Sequence, residues 1–406
     1  MTAAGCYSKA MALLDQGDTL EARNLLALAL NEEPQNVRYL LDYAQVYVEL
    51  GHYVKAETFF GTAMELEPNS ALGNYRWGNL RKQFGHVIKA IEKYSIAIVA
   101  NPQYVEAFNN RGGAYQIMGK LPEARADYLR AIELNPRLEE AYLNLGRMLD
   151  THEEFEEAAQ IYQCALANGL NPGLFTHLIQ SASGGESDKA PIGYVRSIYD
   201  GYASAFDMHL TQSLGYALPS LIGAQVRVIA AQREEAMIAV DLGCGTGLCG
   251  AAIAASVSHL AGVDVSPGML DHADRRGIYH DLVEGDIERY LPKLDSGSID
   301  LLVAAEVFIC FGALDKIFFE AGRILRPDGA FIFSIETLDG AEDYRLQHSG
   351  RFRHSIRYVE RLAAQSGLKP YRYESVDLQL GLGFQVGGRL LTFRKRSGDG
   401  LIRDDR

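Results

Sequence analysis

Two textures of apolar and polar positions divide the chain. From residue 3 to residue 172 the apolar positions recur every 34 residues. Ala22, Ala56, Ala90, Ala124 and Ala158 form one set. Leu26, Phe60, Tyr94, Tyr128 and Tyr162 follow four residues later, and Ala29, Ala63, Ala97, Ala131 and Ala165 three after that. Offsets of four and three place each trio on one helical face. Gly17, Gly51, Gly85 and Gly119 keep the same spacing, with Glu153 in the fifth slot, as do Pro34, Pro68, Pro102 and Pro136. The period predicts five helix pairs. Alanines let helices approach, the bulky residue fills the gap, glycine turns the chain at positive φ, and proline stops the second helix.

Beyond Pro172 the period ends. Ser181 to Lys189 is polar and rich in Gly and Ser, which predicts a linker over 173–190. From residue 191 short apolar runs alternate with amphipathic stretches. Strands are predicted at Ile238–Gly243, His259–Asp264, Asp281–Asp286, Ile299–Val307 and Ala330–Glu336. Helices are predicted around Thr246–Ser256, Pro267–Gly277, Leu314–Leu325 and Ser355–Ser366, then two late strands, Lys369–Val376 and Arg389–Lys395. The alternation implies a mostly parallel sheet, and the last two strands, with no helix between them, an antiparallel edge. The predicted architecture is an all-α solenoid over 3–172, a linker, an α/β domain over 191–396 and a tail over 397–406.

Composition narrows the class. In 406 residues, 39 Lys and Arg face 52 Asp and Glu, a net charge of −13, which disfavours whole-surface clamping of nucleic acid. The five cysteines contain no C-x-x-C, so neither a disulfide framework nor a thiolate metal site is expected. No basic stretch precedes the apolar residues of Met1–Leu14, and no apolar run reaches about 18 residues. The expectation is a cytoplasmic protein with neither a membrane nor a nucleic-acid partner.

Ile238–Gly247, IAVDLGCGTG, is a buried strand entering a glycine turn and then a helix. Glycines admit a ligand to the backbone, and the helix start offers free N–H groups. Asp264 ends the next strand, 21 residues after Gly243, where a carboxylate can accept from ribose hydroxyls. A dinucleotide fingerprint would have a third glycine where Leu248 stands. Asp241 would repel a pyrophosphate but suits the ammonium end of a sulfonium ligand.

The repeat register resembles the tetratricopeptide repeat. The set Asp241–Gly247, Asp264, Gly285-Asp286 and Arg326-Pro-Asp-Gly329 resembles class I, Rossmann-like S-adenosylmethionine-dependent methyltransferases. The combination resembles tetratricopeptide-repeat-fused methyltransferases. The resemblance implies S-adenosylmethionine as cofactor. It implies Gly243, Cys244, Gly245 and Gly247 around its methionine and ribose. Asp264 would meet the ribose hydroxyls, and Val265 and Met269 would lie beside adenine. Asp286 would take the adenine amino group with Ile287 on the ring, and Ala304, Ala305 and Glu306 would flank the sulfonium. The resemblance does not identify the acceptor; the expectation is methyl transfer to a protein or a small anionic molecule, with the repeats binding a protein partner. The alternative is a repeat adaptor with a non-catalytic cofactor-binding domain.

Candidate acceptor residues come from the residue types. No Asn/Asp-Pro-Pro-Tyr motif follows the fourth strand, which reads Ala304-Ala-Glu-Val-Phe-Ile309, and this argues against amide or base nitrogen acceptors. Tyr202, Phe206 and His209 on a lead-in helix could cover the crevice. His209 is the candidate base and Tyr202 the candidate partner of the cofactor's carboxylate. Residues 344–396 carry eleven Lys or Arg against three acids. Arg345, Arg351, Arg353 and His354 among them are the candidates for an anionic acceptor.

Overall fold

Ten helices carry out the 34-residue period: α1 Ala3–Asp15, α2 Thr19–Glu32, α3 Val37–Glu49, α4 Tyr53–Leu66, α5 Ala71–Gln83, α6 Val87–Ala100, α7 Val105–Ile117, α8 Leu121–Leu134, α9 Glu139–Thr151 and α10 Phe155–Ala167. The computed structural model describes residues 2–208, 217–380 and 384–396, with the side chains of 201–208, 379, 380, 384 and 385 left out. The helices α2, α4, α6 and α8 each end two residues before the periodic proline. All ten periodic alanines are fully buried, and so are Leu26, Phe60, Tyr94, Tyr128 and Tyr162. A Cβ on Gly78 would come within 2.7 Å of the Tyr94 ring, and one on Gly112 within 2.9 Å of Tyr128. Those glycines are the recesses that receive the tyrosines. Gly17, Gly51, Gly85 and Gly119 have φ between +70° and +81°. Glu153 holds the same left-handed turn at +62°, a strained choice for a residue with a Cβ. Polar ties join successive first helices. Asp42 accepts from the Tyr7 hydroxyl and from Arg76, both at 2.7 Å, and Asn110 donates to Tyr75 and Asn79.

By its packing the chain falls into two units, residues 1–153 with 167–170 and residues 154–166 with 171–406. Most of α10, the second helix of the fifth pair, therefore belongs to the second unit. Part of the expected linker is also structured: α11, Pro172–Ala182, is capped by Asn171 and buries Leu174, Phe175, His177 and Leu178. Those apolar residues at helical spacing outweigh the Gly/Ser composition that starts only at Ser181.

The rest of the second unit is a doubly covered sheet. α12 (Ile192–Met208) and α13 (Leu218–Ala230) precede β1 (Met237–Leu242). Then come α14 (Leu248–Ile253), β2 (Val257–Asp264), α15 (Pro267–Arg275), β3 (Asp281–Glu284), α16 (Ile287–Tyr290), β4 (Ile299–Ala304), α17 (Asp315–Ile324) and β5 (Leu325–Thr337). The strands β3-β2-β1-β4-β5 lie parallel in that order. A short hairpin, β6 (Tyr344–Leu346) and β7 (Phe352–His354), leads to α18 (Ile356–Gln365), β8 (Leu368–Leu380) and β9 (Phe384–Lys395). β9 pairs antiparallel with both β5 and β8, which is the antiparallel edge expected from the sequence.

The hairpin was not anticipated as strands. β5 outruns β4, whose last partner on it is Phe333. β7 takes up the vacated edge, pairing Glu336 with Arg353 and Thr337 with His354. The strand pleat divides the core in two. Val240, Leu302, Phe331 and Phe333 pack under α17 and α18. Met237, Ala239, Leu301, Val303, Ala330 and Ile332 pack under α13 and α14.

Candidate functional site

Register decides which side chains share the second of these faces. Asp241 is paired with Val303 and Val303 with Ile332. Partners in a sheet point the same way, as do residues two apart along a strand. Asp241 therefore shares its face with Ser334 and Glu336 on β5, and through Glu336 with Arg353 and Arg351. On the other side Asp241 pairs with Gly262, which brings in Asp264. These residues stand at or beyond the carboxyl ends of their strands, the rim where ligands of open α/β sheets bind.

The glycine turn is built from within. Gly243, Gly245 and Gly247 all have positive φ, at +63°, +53° and +86°. The Gly243 and Cys244 N–H groups donate to the Val263 carbonyl. Asp264 clasps the turn, taking the Gly245 N–H on Oδ2 and the Ser266 N–H on Oδ1, both at 2.9 Å. Burial nonetheless raises its pKa, against those amide hydrogen bonds. A Cβ on Gly243 would strike Val307 at 2.6 Å, whereas one on Gly245 or Gly285 would meet nothing within 4 Å. The turn is thus closed at its first glycine and open at Gly245.

Asp241 is placed differently from a carboxylate facing a ligand. It is almost wholly buried and accepts from the Tyr279 hydroxyl at 2.7 Å. Burial, opposed by that hydrogen bond and assisted by the nearby Asp264, pushes its pKa up to about 7. Tyr279 is a residue that sequence reasoning missed. Its ring would come within 2.5 Å of a Cβ on Gly250 and within 2.9 Å of one on Gly262. Glycines inside a helix and inside a strand were the available signal of such an approach. Arg276 donates to the Thr246 carbonyl at 2.5 Å and closes the same side of the turn.

Asp286 caps α16 by accepting the Glu288 N–H on Oδ1. Its Oδ2 receives Lys189 Nζ at 2.6 Å, and the same ammonium reaches Glu288 at 2.7 Å. Lys189 comes from a strap that bonds to the segment following β4. Ala190 N–H donates to Cys310 O, while Gly312 and Ala313 N–H donate to Asp188 O. Met269 and Ile287 are buried and Val265 half-buried. Ala304 is buried. Glu306 has φ +55°, and its N–H donates to Ser334 Oγ at 2.7 Å. Glu306 thus holds a strained, left-handed backbone two residues beyond the end of β4, at this rim.

The candidate acceptor residues separate. Arg351 Nε lies 2.6 Å from Glu336 Oε1, and Arg353 Nε lies 3.5 Å from Oε2. Arg345 is exposed and bound to Glu342. His354 lies on the opposite face, fully buried, with Nε2 3.1 Å from the Gly312 carbonyl. Burial lowers its pKa to about 4, so it is neutral near pH 7 and supplies no charge to an anion. Tyr202 lies in α12 with its side chain outside the described part, and His209 lies outside the described residues altogether. Cys244 and Cys249 are buried thiols whose pKa values burial raises, which makes them inert. Among the described residues no His, Cys, Asp or Glu group is arranged to hold a metal ion, and no helix is long and apolar enough to cross a membrane.

Comparison with known proteins agrees with both halves. Residues 240–333 match the methyltransferase domain family, and residues 13–74 and 105–138 match tetratricopeptide repeats. The chain is 36% identical over 105 residues to the biotin biosynthesis bifunctional protein BioHC of Saccharophagus degradans, covering 25% of this chain and 18% of that one. It is 29% identical over 140 residues to the malonyl-[acyl-carrier protein] O-methyltransferase of Serratia marcescens, covering 34% and 54%. It is 28% identical over 92 residues to the 18S rRNA (guanine-N(7))-methyltransferase of Bos taurus, covering 22% and 32%. The chain thus spans between about a fifth and about half the length of these curated relatives.

Proposed function

We propose that this chain, which joins tetratricopeptide repeats to a methyltransferase domain, binds S-adenosylmethionine at the Gly243–Gly247 turn and methylates an acceptor held at the strand ends. The repeats bind a protein partner. The observation that carries the reading is the Asp264 clasp on an otherwise open Gly245. A carboxylate offers about four lone-pair sites, part of which the backbone amides of Gly245, Ser266 and Val265 engage. The remaining ones suit a ribose diol, and the missing side chain at Gly245 leaves room for it. The donor set therefore fits an adenosyl ligand. Gly243, Cys244, Gly245, Gly247 and Asp264 would hold its methionine and ribose. Val265, Met269, Asp286 and Ile287 would enclose adenine, and Ala304 and Glu306 would lie beside the sulfur.

When bound, the cofactor supplies a methyl group already activated by the sulfonium. What remains for the protein is alignment, which can contribute about 7–11 kcal/mol. The rim that carries Asp264 and Arg351 is where an acceptor would be aligned. The named relatives include an O-methyltransferase and a guanine N7-methyltransferase, so likeness alone does not select the acceptor atom.

Titration calorimetry with S-adenosylmethionine and its demethylated product tests the reading. Asp264→Ala is expected to abolish binding. Asp264→Asn keeps one carbonyl oxygen, so it can accept from only one of the Gly245 and Ser266 amides and should retain no more than a weakened fraction. Failure of the unaltered chain to bind either compound would sink the proposal. Radiolabelled cofactor incubated with cell extract would then separate an enzyme from an adaptor, since only the former deposits label in protein or metabolite.

A further inference from the structure

Glu336, Arg351 and Arg353 form a buried charged cluster that the cofactor reading does not use. Glu336 is almost wholly buried, accepts a hydrogen bond from Arg351 and is ion-paired at 3.5 Å with Arg353, whose buried Nε makes no hydrogen bond among the described residues. Arg351 spends only Nε on it. Its Nη2 is shielded from solvent and has no hydrogen-bond partner among the described residues. Buried polar groups are almost always paired, so an orphaned nitrogen on a permanent cation calls for an explanation.

Position supplies one. The register from Asp241 through Val303, Ile332, Ser334 and Glu336 to Arg353 puts Arg351 on the face that carries Asp264. The half-buried Cys310 thiol lies within electrostatic reach of both Arg351 and Asp264, and of Glu306 as well. The cluster and the proposed ribose clasp thus flank one thiol at one rim. Arg351 precedes β7 by one residue, and β7 is bonded to β5 along one edge and to β6 along the other.

We propose that Arg351 is the anchor for a carboxylate on the methyl acceptor, with Nη2 as the donor and Glu336 as the residue that orients the guanidinium. This rests on the methyltransferase reading above and narrows it to acceptors that carry a carboxylate. Such a group comes from a small organic acid or from an acidic side chain of a protein. Arg345, paired with Glu342 and exposed, takes no part.

Calorimetry on the full chain saturated with demethylated cofactor product tests this. The probes are malonate, its neutral counterpart malonamide, and a capped Gly-Asp-Gly peptide. Malonate or the peptide should bind and malonamide should not. Preference for malonate identifies a small acid, and preference for the peptide a protein carboxylate. Arg351→Gln should weaken carboxylate binding at least tenfold while leaving product affinity within about twofold, and Arg345→Gln should change neither. Should Arg351→Gln misfold, Arg351→Lys keeps the charge and loses the planar fork, and is expected to show an intermediate loss. A purely structural role would lower the melting temperature of both Arg351 variants and leave carboxylate affinity unchanged, which overturns the proposal. So does a chain that binds product but neither carboxylate probe, or that binds malonamide as well as malonate. A chain that does not bind product refutes the underlying reading instead.

Discussion

Asp241 illustrates how a single side chain is set by its surroundings. The sequence places an acid two residues before the first glycine, and charge alone suggests that it faces a cation. In the structure it is turned into the sheet face and held by Tyr279, with its pKa raised to about 7 by burial. Its native pKa lies above the unfolded value of 3.8, so the folded chain binds the extra proton between those limits. Stability from this group is therefore lost as pH rises from about 4 to about 7. A cation arriving at the glycine turn favours the ionised form and lowers the pKa. Binding of S-adenosylmethionine near pH 6.5 is thus expected to release a fraction of a proton, seen as a dependence of calorimetric heat on buffer ionisation enthalpy. Asp241→Asn should abolish that dependence. Unaltered proton release in this variant would show that another group titrates. Tyr279 itself was not singled out from sequence, because an aromatic 32 residues beyond Gly247 carries no local signature. Only the glycines that make room for it do.

At the scale of elements, much of the sheet was legible because its central strands β1 and β4 are buried on both faces and read as continuous apolar runs. β1 to β5 lie close to where those runs predicted, and the antiparallel β9 follows from the absence of a helix before it. The β6–β7 hairpin was not legible. Its strands are three residues long and mix Arg and His with aromatics, so alternation has too little length to register. The 34-residue ruler worked in the first half because five positions repeat together, and a repeat is read by coincidence rather than by propensity. The strap at 188–190 was read as linker, yet it is tied to the segment after β4 through three backbone bonds and to the start of α16 through Lys189. Replacing Lys189 by Met leaves Asp286 and Glu288 without their shared cation. We expect a loss of about 1–3 kcal/mol in chemical denaturation and weaker binding of the cofactor product, because Asp286 is then held only by the Glu288 amide. Denaturation curves that superimpose would mean that the ion pair is no stronger than an exposed one.

For the whole molecule, sequence and packing draw the boundary in different places. The period continues through Tyr162 and Ala165, and the repeat reading runs to residue 172. The packing assigns residues 154–166 to the second unit. There the Phe155 ring stacks on His348 at 3.6 Å, and Tyr162 lies 6.2 Å from Phe175. The loop that carries His348 connects β6 to β7, and its Gln347 and His348 carbonyls both accept from Ser181 on α11. A repeat helix is thus continuous, through these contacts, with the hairpin that presents Arg351. Period alone cannot reveal this, since it reports what a helix pair descends from and not what it packs against. A fragment of residues 154–406 is therefore expected to bind the cofactor product with the affinity of the full chain. A fragment of residues 173–406 lacks Phe155 and Tyr162 and should melt at least about 5 °C lower. It should also bind malonate more weakly than product binding alone would account for, because the hairpin has lost its support. Equal melting temperatures for the two fragments would return α10 to the repeats and leave Arg351 to be positioned by the sheet alone.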